Sequence, residues 1–212
     1  MKILTVIHEF PPIGGGGGLI ARDLACALVR DGNEVRVITA QFGDLPDREV
    51  LDGVEIIRLK SHRKEAYRAK LLPMASFILA ASRYCVYQMK DFSPDIIHAH
   101  FAVPGGPPAK FISGKKHIPY VLTVHLGDIP DASPEKTGKW FKFIYPFTHT
   151  FWKHASAIVA VSEFSKRMAQ RKYPVEIQVI PNGIDYDQVR IERIEPHSVP
   201  EIVFAGRFVP QK

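Results

Sequence analysis

Short β-branched runs alternate with helical patterns along nearly the whole chain, and this alternation restricts the fold more than any other feature. Most of these runs are apolar on both faces, which is typical of parallel strands covered by helices. We therefore predict an α/β fold, with a Rossmann-like parallel sheet and helices on both faces. The predicted strands are 2–8, 34–39, 54–59, 95–100, 120–125, 157–161 and 176–180.

Helices are predicted between these strands from apolar residues at helical spacing. They span 19–30, 71–90 and 139–153, and a further helix follows Ser162, which is a good N-cap. Gly32 stands where a helix end favours a left-handed residue. The residues expected to face the sheet are Ile20, Leu24, Leu28, Leu72, Ala75, Leu79, Val86, Phe164 and Met168.

The composition changes after residue 184, which predicts a domain boundary. Residues 1–184 are expected to form one Rossmann-like domain. Residues 185–200 are charged, include Pro196 and Pro200, and are expected to be a linker. Residues 201–212 look like a strand and a turn with no helix after them, so we expect the truncated start of a second domain.

Charge and composition narrow the functional classes. The formal net charge is +6, and the run from Arg58 to Lys70 holds six basic residues and one acidic residue. Such a run suits either a solvated surface or a peripheral contact with anionic lipid. No recognition motif or regular interleaving of aromatic residues accompanies it, so nucleic acid is not an expected partner.

Location is predicted from the cysteines and from the apolar segments. Cys26 and Cys85 lie in helical patterns, which predicts buried thiols in a reducing compartment. The sequence shows no secretory signal, and its longest apolar stretch contains Arg83. We expect a cytoplasmic protein, with the inner membrane surface as an alternative.

Five consecutive glycines, from Gly14 to Gly18, follow the first strand. In an ordered segment each glycine lowers the stability of the fold by about 0.5–1 kcal/mol relative to alanine. A run of five glycines therefore indicates a structural or functional requirement. Ligands of open α/β sheets bind beyond the carboxyl ends of the strands, and the N–H groups that begin the next helix suit a phosphate. A merely flexible loop is the alternative interpretation.

Histidines end two later strands. His98 and His100 share one face of their strand, where a metal pair is conceivable, but structural or cleft-lining roles are favoured because no carboxylate is obvious. His125 ends the next strand, where a histidine is more often structural than catalytic. Asp128 could contact a ligand or only shape its loop.

The aromatic segment from Trp140 to Trp152 carries lysines beside its rings. It could form a wall of an acceptor site or an interfacial helix, or it could pack in the core.

Six motifs occur in order over nearly the whole chain. They are Phe10-PPIGGGGG with Leu24-Ala25, Leu28 and Gly32-NEVRVIT; Asp95-IIHAHF; Thr123-VHLGD; Val161-SEFSKR; Val179-IPNGID; and Phe204-AGRFVPQK. Taken together, these motifs resemble the amino-terminal domain of the family 4 (group 1) retaining glycosyltransferases, which have the GT-B fold. Asn33 replaces a customary histidine of that family, and Gly17 and Gly18 stand where side chains are frequent.

The resemblance implies transfer of a sugar from a nucleotide-sugar donor to an acceptor, with retention of configuration and without a metal or other cofactor. It implies that Gly15, Gly16, Arg207 and Lys212 bind the donor diphosphate, and that His125 is catalytic. The acceptor would be a sugar, a lipid-linked molecule or another small molecule. The implied acceptor-side or cleft-lining residues are Gly17, Gly18, His100 and Asp128.

The family's carboxyl-terminal glutamate pair, spaced E-x7-E, is not found in these 212 residues. We therefore expect a fragment with little or no transfer activity of its own. Two alternatives stay open: a non-catalytic sugar- or nucleotide-binding module, and a nucleotide-sugar epimerase of the same fold.

Overall fold

The computed structural model describes residues 1–67, 69–130, 141–184 and 202. Contacts divide the chain into the units Met1–Asn182 and Gly183–Lys212, and all the helices and strands described belong to the first. The predicted linker and the predicted start of a second domain lie outside the described residues, except for Ile202.

The described strands form one sheet with parallel neighbours, apart from one antiparallel pair at an edge. They are β1 (Lys2–Val6), β2 (Glu34–Ala40), β3 (Arg48–Leu51), β4 (Val54–Leu59), β5 (Ile96–His100), β6 (Tyr120–Val124), β7 (Ala157–Ala160) and β8 (Gln178–Val179). Their order is β3-β4-β2-β1-β5-β6-β7-β8, and only β3 and β4 pair antiparallel. The α/β fold with a mainly parallel sheet is confirmed. The antiparallel β3, which is short and mostly exposed, was not predicted.

Helices cover both faces of this sheet, as predicted. They are α1 (Gly16–Arg30), α2 (Leu71–Arg83), α3 (Gly106–Lys116), α4 (Phe141–Lys153) and α5 (Glu163–Gln170). Helix α1 buries Ala21 and Ala25 against Ile3 and Ile7 of β1 in one apolar layer. The other four helices contribute to a second, larger layer on the opposite face.

Helix α1 corrects the predicted packing face. It begins at Gly16, three residues earlier than expected, and buries Gly18, Ala21 and Ala25 rather than large aliphatic residues. Leu24, predicted to face the sheet, is 38% exposed. Small residues permit a close approach here, because a Cβ at Gly18 would lie 2.9 Å from the backbone oxygen of Glu9.

Helix α2 is also rotated relative to the prediction. Phe77 and Ala81 are buried, whereas Leu72 and Leu79 are 68% and 72% exposed. The predicted helix to residue 90 changes instead into a π-helical turn at Tyr84–Gln88. An apolar stripe therefore faces outward.

Smaller corrections concern α5, α3 and the cysteines. Phe164 is 55% exposed, while Ser165 and Ala169 are buried. Helix α3 was not predicted at all. Cys85 is buried as expected, but Cys26 is only half-buried; both are free thiols.

The predicted ends of two helices are confirmed. Gly32 follows α1 with φ +81°, and the Ser162 hydroxyl accepts a hydrogen bond from the N–H of Ser165 at 3.1 Å. Among the described residues, no helix is long and apolar enough to cross a membrane.

Candidate functional site

The candidate site lies where β1, β5 and β6 end. These three strands are parallel neighbours, so their carboxyl ends meet at one edge of the sheet. The glycine turn, which we define as Gly14 to Gly18, comes after β1. His100 is the last residue of β5 and Phe101 follows it, and His125 follows β6. This edge brings together most of the site residues that the sequence predicted.

The glycine turn presents unpaired backbone N–H groups. Gly14 has φ +94°, a conformation that favours glycine, and the carbonyl of Gly15 accepts hydrogen bonds from the N–H groups of Gly18 and Leu19. Helix α1 starts without a side-chain cap and without an acidic residue in its first turn. Within the described part of the chain, the N–H groups of Gly16 and Gly17 meet no acceptor. This open, partially positive helix end suits an anion.

Phe101 connects the glycine turn to His125, and sequence reasoning missed it. The ring centroids of Phe101 and His125 are 4.4 Å apart. The tip of the Phe101 ring contacts the glycine turn, because a Cβ built at Gly17 would lie 2.5 Å from Cζ of Phe101. Phe101 also has φ +67°, a rare conformation for a bulky residue. Gly17 therefore leaves the space that Phe101 occupies.

Three histidines line up across β5 and the end of β6. The rings of His98 and His100 lie 4.2 Å apart, and those of His100 and His125 lie 5.9 Å apart. Nε2 of His98 is 2.8 Å from the hydroxyl of Thr123. Neither ring nitrogen of the fully buried His100 has a hydrogen-bond partner, and Nε2 of His125 has none either, within the described residues.

Burial keeps these imidazoles neutral. It lowers the pKa of His98 and of His125 to about 4, and it lowers that of His100 well below the ordinary value. A neutral imidazole has one donor and one acceptor nitrogen. The ring of His125 is partly exposed, although its Nε2 atom is itself buried. No group of three His, Cys, Asp or Glu residues suited to a metal ion occurs among the residues described.

Asp128 is turned toward backbone rather than toward solvent. Its carboxylate accepts hydrogen bonds from the N–H groups of His125 at 2.8 Å and of Val103 at 3.5 Å. Burial raises its pKa to about 7, although these bonds and one from Ala102 oppose the rise. Asp128 thus joins the loop after β5 to the loop after β6. Of the two roles considered for Asp128, these contacts favour shaping the loop over binding a ligand.

Arg63 was predicted as part of a surface charge run but is buried instead. Its guanidinium donates to the backbone carbonyls of His8, Glu65 and Ala66 at 2.9–3.0 Å. The carbonyl of Ala66 also accepts the N–H of Gly14 at 2.8 Å. Arg63 therefore fastens the segment after β4 to the end of β1 and to the glycine turn.

The environment of Arg63 also explains an unusual histidine. His8 is buried against the rings of Phe77 and Phe101, at 6.5 and 5.4 Å between centroids. Burial, and to a smaller extent the nearby positive charge of Arg63, lower its pKa to about 3. The end of β1 thus holds a neutral histidine beside a cation.

Other predicted residues lie elsewhere. Arg58, the first residue of the basic run, is buried and donates to the carbonyl of Pro46 at 3.0 Å. Arg68, Arg207 and Lys212 lie outside the described residues. The exposed basic side chains of the run are Lys60, His62, Lys64 and Lys70.

The matching family model and the matching curated relatives are glycosyltransferases. Residues 14–188 match the family model described as Glycosyltransferase Family 4. The chain is 30% identical over 135 residues to TuaC of Bacillus subtilis, a glycosyltransferase named for teichuronic acid biosynthesis, across 59% of this chain and 33% of that protein. It is 32% identical over 139 residues to an uncharacterized glycosyltransferase of Methanocaldococcus jannaschii, across 61% of this chain and 32% of that protein.

A solved structure gives the same picture of the fold. Sucrose-phosphate synthase from Thermosynechococcus elongatus matches with a TM-score of 0.69 at 16% identity, over 88% of this chain and 49% of that chain. Identity this low shows a shared fold only. The chain spans about a third of the length of the two curated relatives.

Proposed function

The chain belongs to glycosyltransferase family 4, as its motifs predicted, and we propose that it is the acceptor-side part of a retaining glycosyltransferase. The whole protein would transfer a sugar from a nucleotide-sugar donor to an acceptor. We propose that the reaction occurs in the cytoplasm or at the inner membrane surface, as expected from the cysteines and the apolar segments.

One observation carries this proposal: the ring of Phe101 contacts both the start of α1 and His125. A donor diphosphate at Gly15 and Gly16 would therefore lie close to His125. That arrangement suits a substrate whose anionic leaving group and reacting sugar are adjacent.

The chemistry follows from where charge develops. As the bond to the sugar breaks, negative charge builds on the diphosphate, and the N–H groups at the start of α1 stabilise it without needing to reorient. We assign Arg207 and Lys212 to the same diphosphate. His125, neutral at physiological pH, orients the transferred sugar by a hydrogen bond.

The remaining predicted residues receive supporting roles. His100 is fully buried behind His125, and Asp128 holds the backbone of His125, so we assign both to the wall of the cleft. Gly17 leaves the space that Phe101 occupies and Gly18 lets α1 approach the backbone of Glu9, so we assign both to the shape of the cleft rather than to contact with the acceptor. The exposed basic residues from Lys60 to Lys70 stay candidates for peripheral contact with anionic lipid.

The test is turnover by the protein expressed with any coding sequence that follows the codon for Lys212. We would offer labelled UDP-, GDP- and ADP-sugars with and without a panel of sugar and lipid-linked acceptors. The proposal predicts acceptor-dependent loss of one donor and a product of unchanged anomeric configuration. If the donor stays intact with every acceptor, the protein is a binding module. If the donor is epimerised in the absence of an acceptor, the protein is an epimerase.

A further inference from the structure

An apolar groove of about 280 Å³ runs between α2, α3 and α4, outside the site described above. Met74 and Ile78 line it from α2, and Ile144 and Phe147 line it from α4. The hydroxyl of Thr148, also in the lining, is occupied because it donates to the carbonyl of Tyr145 at 2.6 Å. The groove therefore has a hydrocarbon surface and no free polar group to bind a sugar.

One end of the groove lies beside the loop that follows β5, which also belongs to the candidate site. Val103 and Pro107 line this end, and both belong to the connection from β5 into α3. The N–H of Val103 donates to the carboxylate of Asp128, which holds the backbone of His125. Phe101, two residues before Val103, packs on His125. A molecule with its polar head at His125 could thus lay an attached chain along the groove.

The rim of the groove is apolar and open to solvent. Leu71 lines the groove and is 49% exposed, and Phe147 is 69% exposed. Leu72 and Leu79 continue the exposed apolar surface of α2. Exposed apolar surface of this kind, beside a lined groove, marks a binding surface more often than an ordinary solvated one.

The three helices around the groove differ in charge composition from the rest of the chain, although no charged residue is among those that line the groove. Helices α2, α3 and α4 contain no aspartate or glutamate, although the whole chain has 22 acidic residues against 28 lysines and arginines. Lys70, at the start of α2, has only an exposed pair with Glu65 at 3.3 Å. The basic residues of the three helices are Arg83, Lys110, Lys115, Lys116, Lys142 and Lys153.

From these observations we propose that the groove binds the aliphatic chain of a phosphate-linked lipid acceptor. This inference rests on the proposed function and narrows its acceptor class. The hydrocarbon chain would displace water from the groove. Each CH2 group that becomes buried should raise the binding affinity about fourfold. The acid-free helices would favour the lipid phosphate, and the hydroxyl to be glycosylated would lie near His125.

The test measures binding of decyl phosphate to the 212-residue chain by calorimetry, below the micellar concentration of the lipid. Phe147→Asp places a charge at the rim, and Ile78→Trp fills the groove without adding charge. The matched control is Phe164→Asp, since Phe164 is 55% exposed on α5, away from the groove lining. We expect both groove variants to weaken binding at least tenfold and the control to leave it unchanged, with melting temperatures preserved.

Several outcomes would overturn this inference. These are absence of binding, equal binding by the groove variants, and equal affinity for inorganic phosphate. Groove-dependent binding to phosphatidylglycerol vesicles without binding of decyl phosphate would instead assign the surface to membrane docking. A dimer that Phe147→Asp dissociates would assign it to a second copy of the chain. None of these measurements involves donor turnover, so the proposed function stands or falls separately.

Discussion

Gly16 and Gly18 lie in the first turn of α1, but a methyl group added to each would meet different surroundings. A Cβ at Gly18 would lie 2.9 Å from the backbone oxygen of Glu9, whereas a Cβ at Gly16 has nothing within 4 Å. We expect Gly18→Ala to lower the free energy of unfolding by about 1–3 kcal/mol. Urea unfolding of the purified variant measures this change.

Gly16→Ala is the matched control for that substitution. Alanine has a higher helix propensity than glycine, by up to about 1 kcal/mol. We therefore expect Gly16→Ala to leave the stability unchanged or to raise it slightly. Equal losses in the two variants would show that α1 does not approach the end of β1 as described.

At the scale of residues, the sequence predicted the site only in part. The glycine turn, His125 and Asp128 carry recognisable motifs and fall at strand ends, so their placement at one edge follows from the topology. Phe101 and Arg63 were missed, because their roles depend on a left-handed turn and on burial that a local pattern does not reveal. A buried arginine within a run of basic residues has no sequence signature.

At the scale of elements, the segment between β4 and α2 depends on a single side chain. Arg63 donates to three carbonyls, and one of them also receives the N–H of Gly14. We expect Arg63→Met to leave these acceptors unsatisfied, each at a cost of about 1–3 kcal/mol. The amide of Gly14 should then exchange its hydrogen faster, as measured by hydrogen exchange with NMR detection.

Lys64→Met provides the comparison for Arg63→Met. Lys64 is the next residue and is exposed, so its replacement should leave both the exchange of Gly14 and the unfolding midpoint unchanged. If Arg63→Met behaved like Lys64→Met, Arg63 would have no part in holding the glycine turn.

The strands were easier to predict than the helix faces. Parallel strands that are buried on both sides are apolar throughout. Their positions can therefore be predicted without knowing which face of the sheet each helix covers. The predicted faces of α1 and α2 were right only in part. Leu28 and Val86 pack against the core, but Ala25 and Ala81 are buried while Leu24 and Leu79 are exposed. Helix α3 was missed because its residues Gly106–Lys116 include two prolines, two glycines and little apolar periodicity.

At the scale of the whole molecule, the buried histidines make stability depend on pH. The folded pKa values of His8, His98 and His125 are about 3, 4 and 4, below the ordinary 6.5, and that of His100 is also lowered. The unfolded chain therefore binds more protons between pH 4 and 6.5, and stability should rise with pH there by about 1.4 kcal/mol per pH unit for each net proton.

One group acts in the opposite direction. The folded pKa of Asp128 is about 7, above its ordinary 3.8, so its contribution falls as the pH rises between these values. Below pH 6.5, the effect of the four histidines on the pH dependence of stability is larger than the opposite effect of this one carboxyl. We expect the urea midpoint at pH 4.5 to be well below that at pH 6.5, and a flat profile would contradict the burial of these histidines.

The most direct test of the proposed site is the effect of His125→Ala on sugar transfer by the whole protein. The matched control is His154→Ala, an exposed histidine at the end of α4 whose ring bonds the carbonyl of Thr150. If His125 orients the reacting sugar while the diphosphate is held by other groups, His125→Ala should lower kcat by about 10²–10³-fold. The KM for the donor should change little, and His154→Ala should behave like the wild type. Full activity of a folded His125→Ala protein would contradict the assignment of this strand edge as the site of transfer.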